Sequence, residues 1–253
     1  MRLIELIFSL KIFLISCNVF FSQEKSNFIK YEVSGEYFEP LDTQSINEFL
    51  IFDKNKYYYF NVAFDDKRDV YDILKNYNIA KGSEKIFSTY NNNFIYQLVA
   101  KPNKSSPTLT KDYYNLNWRF LNEKKKILGY NCSLAETEFR GRKYYAYFTT
   151  EIPFPIGPWK FNNLPGIILE VYDKDKVYVY KATEISLNNN KIAIPNNVIN
   201  FIKNEKTESY IDVVNLKTKQ LEEIRNRQLS NLPKGTVIKN IEPIRKWLRE
   251  VTF

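Results

Sequence analysis

Between Pro153 and Gly166 the chain places Pro153, Pro155, Pro158 and Pro165 together with Gly157 and Gly166. Proline locks its own φ, offers no N–H and restricts the residue before it, while glycine opens turns that other residues resist. The segment therefore reads as a stiff loop, and it feeds directly into the apolar run Ile167–Tyr172. Trp159 and Phe161 are large apolar groups on this loop, and burying one such ring is worth roughly 1.5–3 kcal/mol. The first expectation is that the loop folds back and plugs one end of a sheet. The rival expectation makes it a recognition surface through Trp159, Phe161, Asn163, Leu164, Pro165 and Gly166, because a rigid aromatic loop binds at little entropic cost.

The rest of the chain is rich in strand signals. Tyr and Phe number 19 each, and they recur in alternating or continuous apolar runs broken by polar turns, the pattern of an antiparallel sheet. Phe49–Phe52, a turn at 53–56 and Tyr57–Phe60 read as one hairpin. Lys85–Ala100 reads as another, with Asn91–Asn93 at its tip. A meander then follows: a strand over 116–121, a turn at 122–126, a strand over 127–139, a turn at 140–142 and a strand over 143–149. After the stiff loop, 167–172 and 177–183 form a further pair around Asp173–Lys176. Five sequential antiparallel strands make a sheet with room to bend. Towards the C-terminus, Val198–Ile202 is a short apolar segment and 211–229 carries Val214, Leu216, Leu221, Ile224 and Leu229 among charges, the pattern of an amphipathic helix. Beyond Pro233–Gly235, a final short helix with Trp247 packed inward is expected over 242–251.

The first 22 residues read as an export signal. Arg2 precedes an apolar stretch from Leu6 to Phe21 that is too short and too interrupted to span a bilayer comfortably, and polar sequence follows from Gln23. Cleavage after Ser22 is the favoured reading. Leu14-Ile15-Ser16-Cys17 also fits a lipobox, which would make Cys17 a lipidated N-terminus and attach the protein to a membrane. Removal of residues 1–22 takes away Arg2, Lys11 and Glu5, so the formal charge falls from +8 to +7. Cations and anions are interspersed along the remainder, which argues for solubility and against a nucleic-acid partner. Residues 23–253 read as a single β-rich domain.

Several chemistries are excluded by composition. The chain has no His, and its single Met is Met1, so a transition-metal site and any imidazole-assisted nucleophile lack their essential groups. No cofactor or metal is expected. Asp65–Asp66 and Asp173–Asp175 lack the ligand spacing of a calcium loop and read as solvated turns. After export one cysteine remains, Cys132, which cannot form an internal disulfide. In the strand around it, Tyr130, Cys132 and Leu134 share one face, so Cys132 reads as a small buried hydrophobe. The functional alternative is a thiol kept for a partner, which would need exposure and a lowered pKa.

Trp118, Lys126-Ile-Leu-Gly-Tyr-Asn-Cys132, Ala135, Phe139-Arg-Gly-Arg142, Ala146-Tyr-Phe-Thr149, Ile152-Pro153 and Gly157-Pro-Trp-Lys-Phe-Asn-Asn-Leu-Pro-Gly-Ile-Ile168 form an ordered set that resembles the GLPGLI family of exported Bacteroidetes proteins. The resemblance covers about residues 115–185. The hexamer reads Asn163-Leu-Pro-Gly-Ile-Ile168, with Asn163 in place of the first glycine; Asn is the residue other than glycine that best tolerates a positive φ. The resemblance implies a small envelope protein, in the periplasm or on the surface of a Gram-negative bacterium. The Gly-Tyr-x-Cys strand and its hairpin are also similar to envelope proteins of the LolA type, whose curved antiparallel sheet folds over helices. The expected fold is mainly β (α+β): a strongly curved antiparallel sheet or half-barrel with a C-terminal helix, with a β-sandwich as the alternative. The expected function is non-enzymatic, with an apolar ligand or a partner envelope protein bound on the aromatic-rich sheet. The alternative is a carboxylate-dependent hydrolase or lyase acting on an envelope polysaccharide, with Glu151 and Glu170 flanking the loop at a spacing of about 5–9 Å.

Overall fold

In the computed structural model, residues 26–35, 45–61, 69–75, 85–90, 93–99, 107–189 and 191–233 are described. The expected signal segment with Cys17 and Ser22, the Asp65–Asp66 pair and the expected helix over 242–251 with Trp247 lie outside these residues. Twelve strands form one open sheet: β1 (Ser26–Ser34), β2 (Ser45–Phe52), β3 (Lys56–Asn61), β4 (Lys85–Thr89), β5 (Phe94–Val99), β6 (Thr108–Tyr113), β7 (Arg119–Ile127), β8 (Tyr130–Phe139), β9 (Arg142–Thr149), β10 (Ile167–Asp173), β11 (Val179–Asn189) and β12 (Glu208–Ser209). Among the described residues three helices accompany them: α1 (Val70–Lys75), α2 (Asn196–Asn204) and the long C-terminal α3 (Tyr210–Ser230). Among the described residues, no helix is long and apolar enough to cross a membrane.

The strand order is β12-β6-β5-β4-β3-β2-β1-β11-β10-β9-β8-β7. It consists of two meanders, β2–β6 and β7–β11, joined by β1, which pairs antiparallel with β2 on one side and β11 on the other. Every pairing is antiparallel except the short one between β12 and β6. The mainly β architecture with a C-terminal helix follows the expectation from sequence, and one open sheet takes the place of the sandwich alternative.

Strands β1–β5 are buried on both faces. Ile29, Tyr31, Leu50, Phe52, Tyr57 and Tyr59 face the main core, while Phe28, Phe49, Ile51, Tyr58 and Phe60 pack with Val70 and Ile73 of α1, with Ile192 and Ile194, and with Val198 of α2. A strand covered on both sides needs apolar residues at successive positions, which explains the unbroken run Tyr57–Phe60.

One turn lies elsewhere than the sequence suggests. Residues 122–126, with three lysines, read as a turn, yet they belong to β7, and the chain reverses at Leu128 and Gly129 with φ of 49° and 88°. Two successive positive φ values are what a tight two-residue hairpin requires. The charges sit in a strand because β7 is the last of the sheet and almost wholly exposed, and lysines along such an edge discourage pairing with other chains. Its ladder with β8 is also irregular between Phe120 and Lys124.

The sheet curls round the loop between β9 and β10. Phe154 of that loop meets Phe52 edge-on at 4.9 Å, and Phe161 meets Tyr144 at 4.8 Å and Tyr180 at 5.9 Å. Asp112, near the end of β6, accepts from Lys160 Nζ of the loop at 2.7 Å and from Arg140 Nη1 of the β8–β9 turn at 3.0 Å. β6 stands second in the sheet and β8 eleventh, so these bonds join opposite ends of the order and hold the curl. Tyr210, the first residue of α3, covers the cluster with its ring 3.5 Å from Lys160 Nζ.

Burial alone would raise the Asp112 carboxyl, but Lys160 and Arg140 outweigh it and hold the group below its ordinary value. Removing one member of a buried ion pair costs about 3–5 kcal/mol, because it strands the other charge. Asp112→Ala is expected to lower urea stability by that order. A depressed folded-state value also means that the Asp112 contribution is full above the unfolded value of ~3.9 and is lost as pH falls from there through the folded value. Acid titration of the unfolding free energy of Asp112→Asn against the parent protein should show that part of the pH dependence missing.

Candidate functional site

The loop is built on its own backbone bonds. Ile156 and Asn162 pair as an isolated antiparallel bridge, Asn163 N donates to Pro155 O at 3.0 Å, and Ile168 N donates to Ile156 O at 2.9 Å. Phe161 N donates to Pro158 O at 3.1 Å and closes a tight turn that holds Trp159 at φ 52°. A positive φ is strained for so bulky a residue and persists only where the surroundings dictate it. Here the Trp159 ring is fixed against Phe139, Tyr144 and Phe161. Asn163 takes φ 67°, the left-handed conformation that its residue type tolerates. Gly166 serves a different purpose: a Cβ there would lie 2.0 Å from Thr149 O, so only glycine lets the loop pass the end of β9.

The residues singled out from sequence separate into two groups. Trp159, Phe161 and Leu164 are buried, 1–2% exposed, and fill the concave side of the sheet as the plug. Asn163 and Pro165 are exposed on the loop's outer rim. Cys132 lies apart from the loop, opposite Lys125 in the β7–β8 pair, on the face where Lys125 Nζ sits 3.8 Å from the Tyr147 ring. It is 1% exposed, donates weakly to Tyr130 O at 3.6 Å, and burial pushes its thiol up to about 11.

Glu151 and Glu170 are both engaged. Glu151 Oε1 accepts from the Asn131 backbone and side-chain amides at 2.8 and 3.1 Å, and Glu170 pairs with Lys125 at 2.6 Å. Asp173 likewise binds Arg142 at 3.0 Å and accepts from Tyr178 N at 2.7 Å. Each carboxylate thus stabilises a turn or a strand pair.

Beside the rim the curl leaves a cleft of about 360 Å³. One wall is the end of the β3–β4–β5 region, with Tyr57, Ser88, Tyr90, Asn93 and Phe94; the other is Tyr114 and Asn115, just after β6; the loop supplies Ile156, Asn162 and Asn163. Four of the thirteen lining residues are aromatic, four are Asn, and none is Asp, Glu, Lys, Arg or Cys. Tyr114 OH donates to Lys160 O at 2.8 Å and accepts from Asn162 Nδ2 at 3.2 Å, while Asn163 Nδ2 reaches Asn115 Oδ1 at 3.4 Å. Burial pushes the Tyr57 phenol up to about 12, an effect that Asn162 and Ser88 only partly offset. The cleft can therefore exchange neutral hydrogen bonds, and among the described residues it holds no acid–base pair. Of its lining, only Asn163 was a candidate from sequence. Tyr57, Tyr90, Asn93, Tyr114 and Asn115 come from separate strand ends, and nothing local marks them as neighbours.

No protein-family model matches the chain, and no curated protein matches it. Among solved structures the chain is similar to PNGF-II in its C2 and P21 space groups, in both cases at 18% identity and a TM-score of 0.55 over 76% of this chain. The match takes in 32% and 33% of those chains, so this chain spans about a third of their length. At that identity the likeness concerns the fold.

Two outcomes follow from this geometry. Gly166→Ala sets a methyl group against fixed backbone, and overpacking of this kind costs about 1–3 kcal/mol; urea unfolding should place the variant at or beyond the upper end. In protein comprising residues 23–253, Cys132 should react only slowly with a disulfide reagent at pH 8 and should titrate as one full equivalent once the chain is unfolded.

Proposed function

We propose that this chain is an exported, non-enzymatic cell-envelope binding protein of the GLPGLI type, in which the curled sheet is a scaffold and the cleft at its open end receives the ligand. The observation that carries this reading is the cleft itself: about 360 Å³, walled by aromatic rings and amides and, among the described residues, free of charged side chains. Ligand sites are typically concave, largely apolar and supplied with a few placed polar groups, at volumes from ~300 Å³ upward. The plug favours the cleft over the concave face, because Phe154, Trp159, Phe161 and Leu164 take up the space an apolar ligand would occupy there. Export and the envelope location rest on the signal-like N-terminus and on the ordered motif set of residues 118–168. The absence of Asp, Glu, Lys, Arg and Cys from the lining favours binding over acid–base chemistry.

Native mass spectrometry of the full chain, expressed through the secretory route of a related bacterium, tests the reading. The expected protein begins at Gln23 and carries a small-molecule mass excess that denaturation removes. A clean mass together with a co-purifying envelope protein would move the reading to a partner at the Asn163 rim, and a clean mass with no partner would overturn it. A mature chain beginning at a lipidated Cys17 would instead place the protein on a membrane.

A further inference from the structure

We infer that the cleft takes a neutral carbohydrate, an inference that rests on reading the cleft as the binding site. Among the described residues, no Lys, Arg, Asp or Glu lines this cleft. A charged ligand entering it would lose hydration with no counter-charge in return, so the lining selects against ions. An Asn amide presents donors and an acceptor on one plane, and four of them here match a ligand whose groups both donate and accept, as hydroxyls do.

The amides narrow the choice. The Tyr114 hydroxyl gives its proton to Lys160 O and so must accept from Asn162 Nδ2, which fixes the orientation of that amide. Asn93 and Asn163 are exposed and present amide groups that a ligand hydroxyl can reach. A purely apolar ligand would strip water from these amides and give no hydrogen bond in return. The half-buried rings of Tyr90, Phe94 and Tyr114 supply apolar wall beside these amides. A compact, neutral molecule with hydroxyls on its edges and C–H groups on its faces satisfies both features, and a sugar ring is that molecule.

The test is a glycan array bearing neutral, acetamido and acidic glycans, probed with the full exported chain, followed by calorimetric titration of the best neutral glycan in soluble form. Asn115→Ala combined with Asn163→Gly removes the exposed amide pair at the rim while glycine keeps the positive φ, so the melting temperature should stay near that of the parent. Neutral glycans are expected to bind in preference to acidic ones, and the double variant to lose at least about tenfold in affinity. Binding of acidic glycans alone, binding that the double variant leaves unchanged, or no glycan binding at all would overturn the inference. Absence of glycan binding alongside a retained small molecule that the double variant loses would leave the cleft as a binding site for another class of ligand. Absence of both would remove the cleft reading as well.

Discussion

Lys160 brings its ammonium to a place shielded from water, and Asp112 is the anion that makes this tolerable, at 2.7 Å. Arg140 shares the same carboxylate, so two cations from different parts of the chain converge on one anion from a third. The Tyr210 ring lies 3.5 Å from Lys160 and 5.4 Å from Arg140, and its face adds cation–π attraction to both. A buried charge left alone is far costlier than a lost surface contact. Whenever the loop is seated with Lys160 inside, β6 must therefore lie against it. The curl of the sheet, the docking of the loop and the attachment of α3 at Tyr210 become parts of one arrangement.

The cleft is a consequence of that arrangement. Tyr114 and Asn115 follow directly after Asp112, so fixing Asp112 against Lys160 also sets them beside Asn162 and Asn163. Tyr57, Tyr90 and Phe94 arrive from the opposite direction because the curl turns the ends of β3–β5 towards the loop. Ring contacts such as Tyr90 with Phe154 at 6.1 Å secure that side. The ion cluster lies inside while the cleft, whose described lining carries no charged side chain, opens outward.

The two halves of the sheet meet different demands. β1–β5 are sandwiched between the main core and a second layer made by α1, the 192–194 segment and α2, and this accounts for an aromatic content beyond what a single sheet face could bury. β7–β11 are covered on the inner side by the loop and turn their other side outward, where Tyr145 and Tyr172 stack at 5.4 Å and Lys125 bridges Glu170 and Tyr147. The half-exposed strands alternate, whereas the doubly covered ones carry apolar residues at successive positions, as in Phe49–Phe52 and Tyr57–Phe60.

Local signals sufficed wherever a residue's role was local. The stiffness of the Pro153–Gly166 loop, the positive φ at Asn163, the sequential order of β7–β11, the hairpin of β2 and β3, the helical period of α3 and the small buried character of Cys132 all follow from residue type and spacing, because φ restriction and side-chain periodicity act over a few residues. The lysines at 124–126 misled because turns and exposed edge strands use the same polar residues, and only the sheet order places β7 at an edge. The second buried face of β1–β5, the outward position of Leu216, Leu221 and Ile224 in α3, the joining of Asp112 to Lys160 and the cleft were decided by tertiary structure. Each depends on groups tens of residues apart being driven together by burial and by the need to neutralise charge away from water, and neither force leaves a local pattern in the sequence.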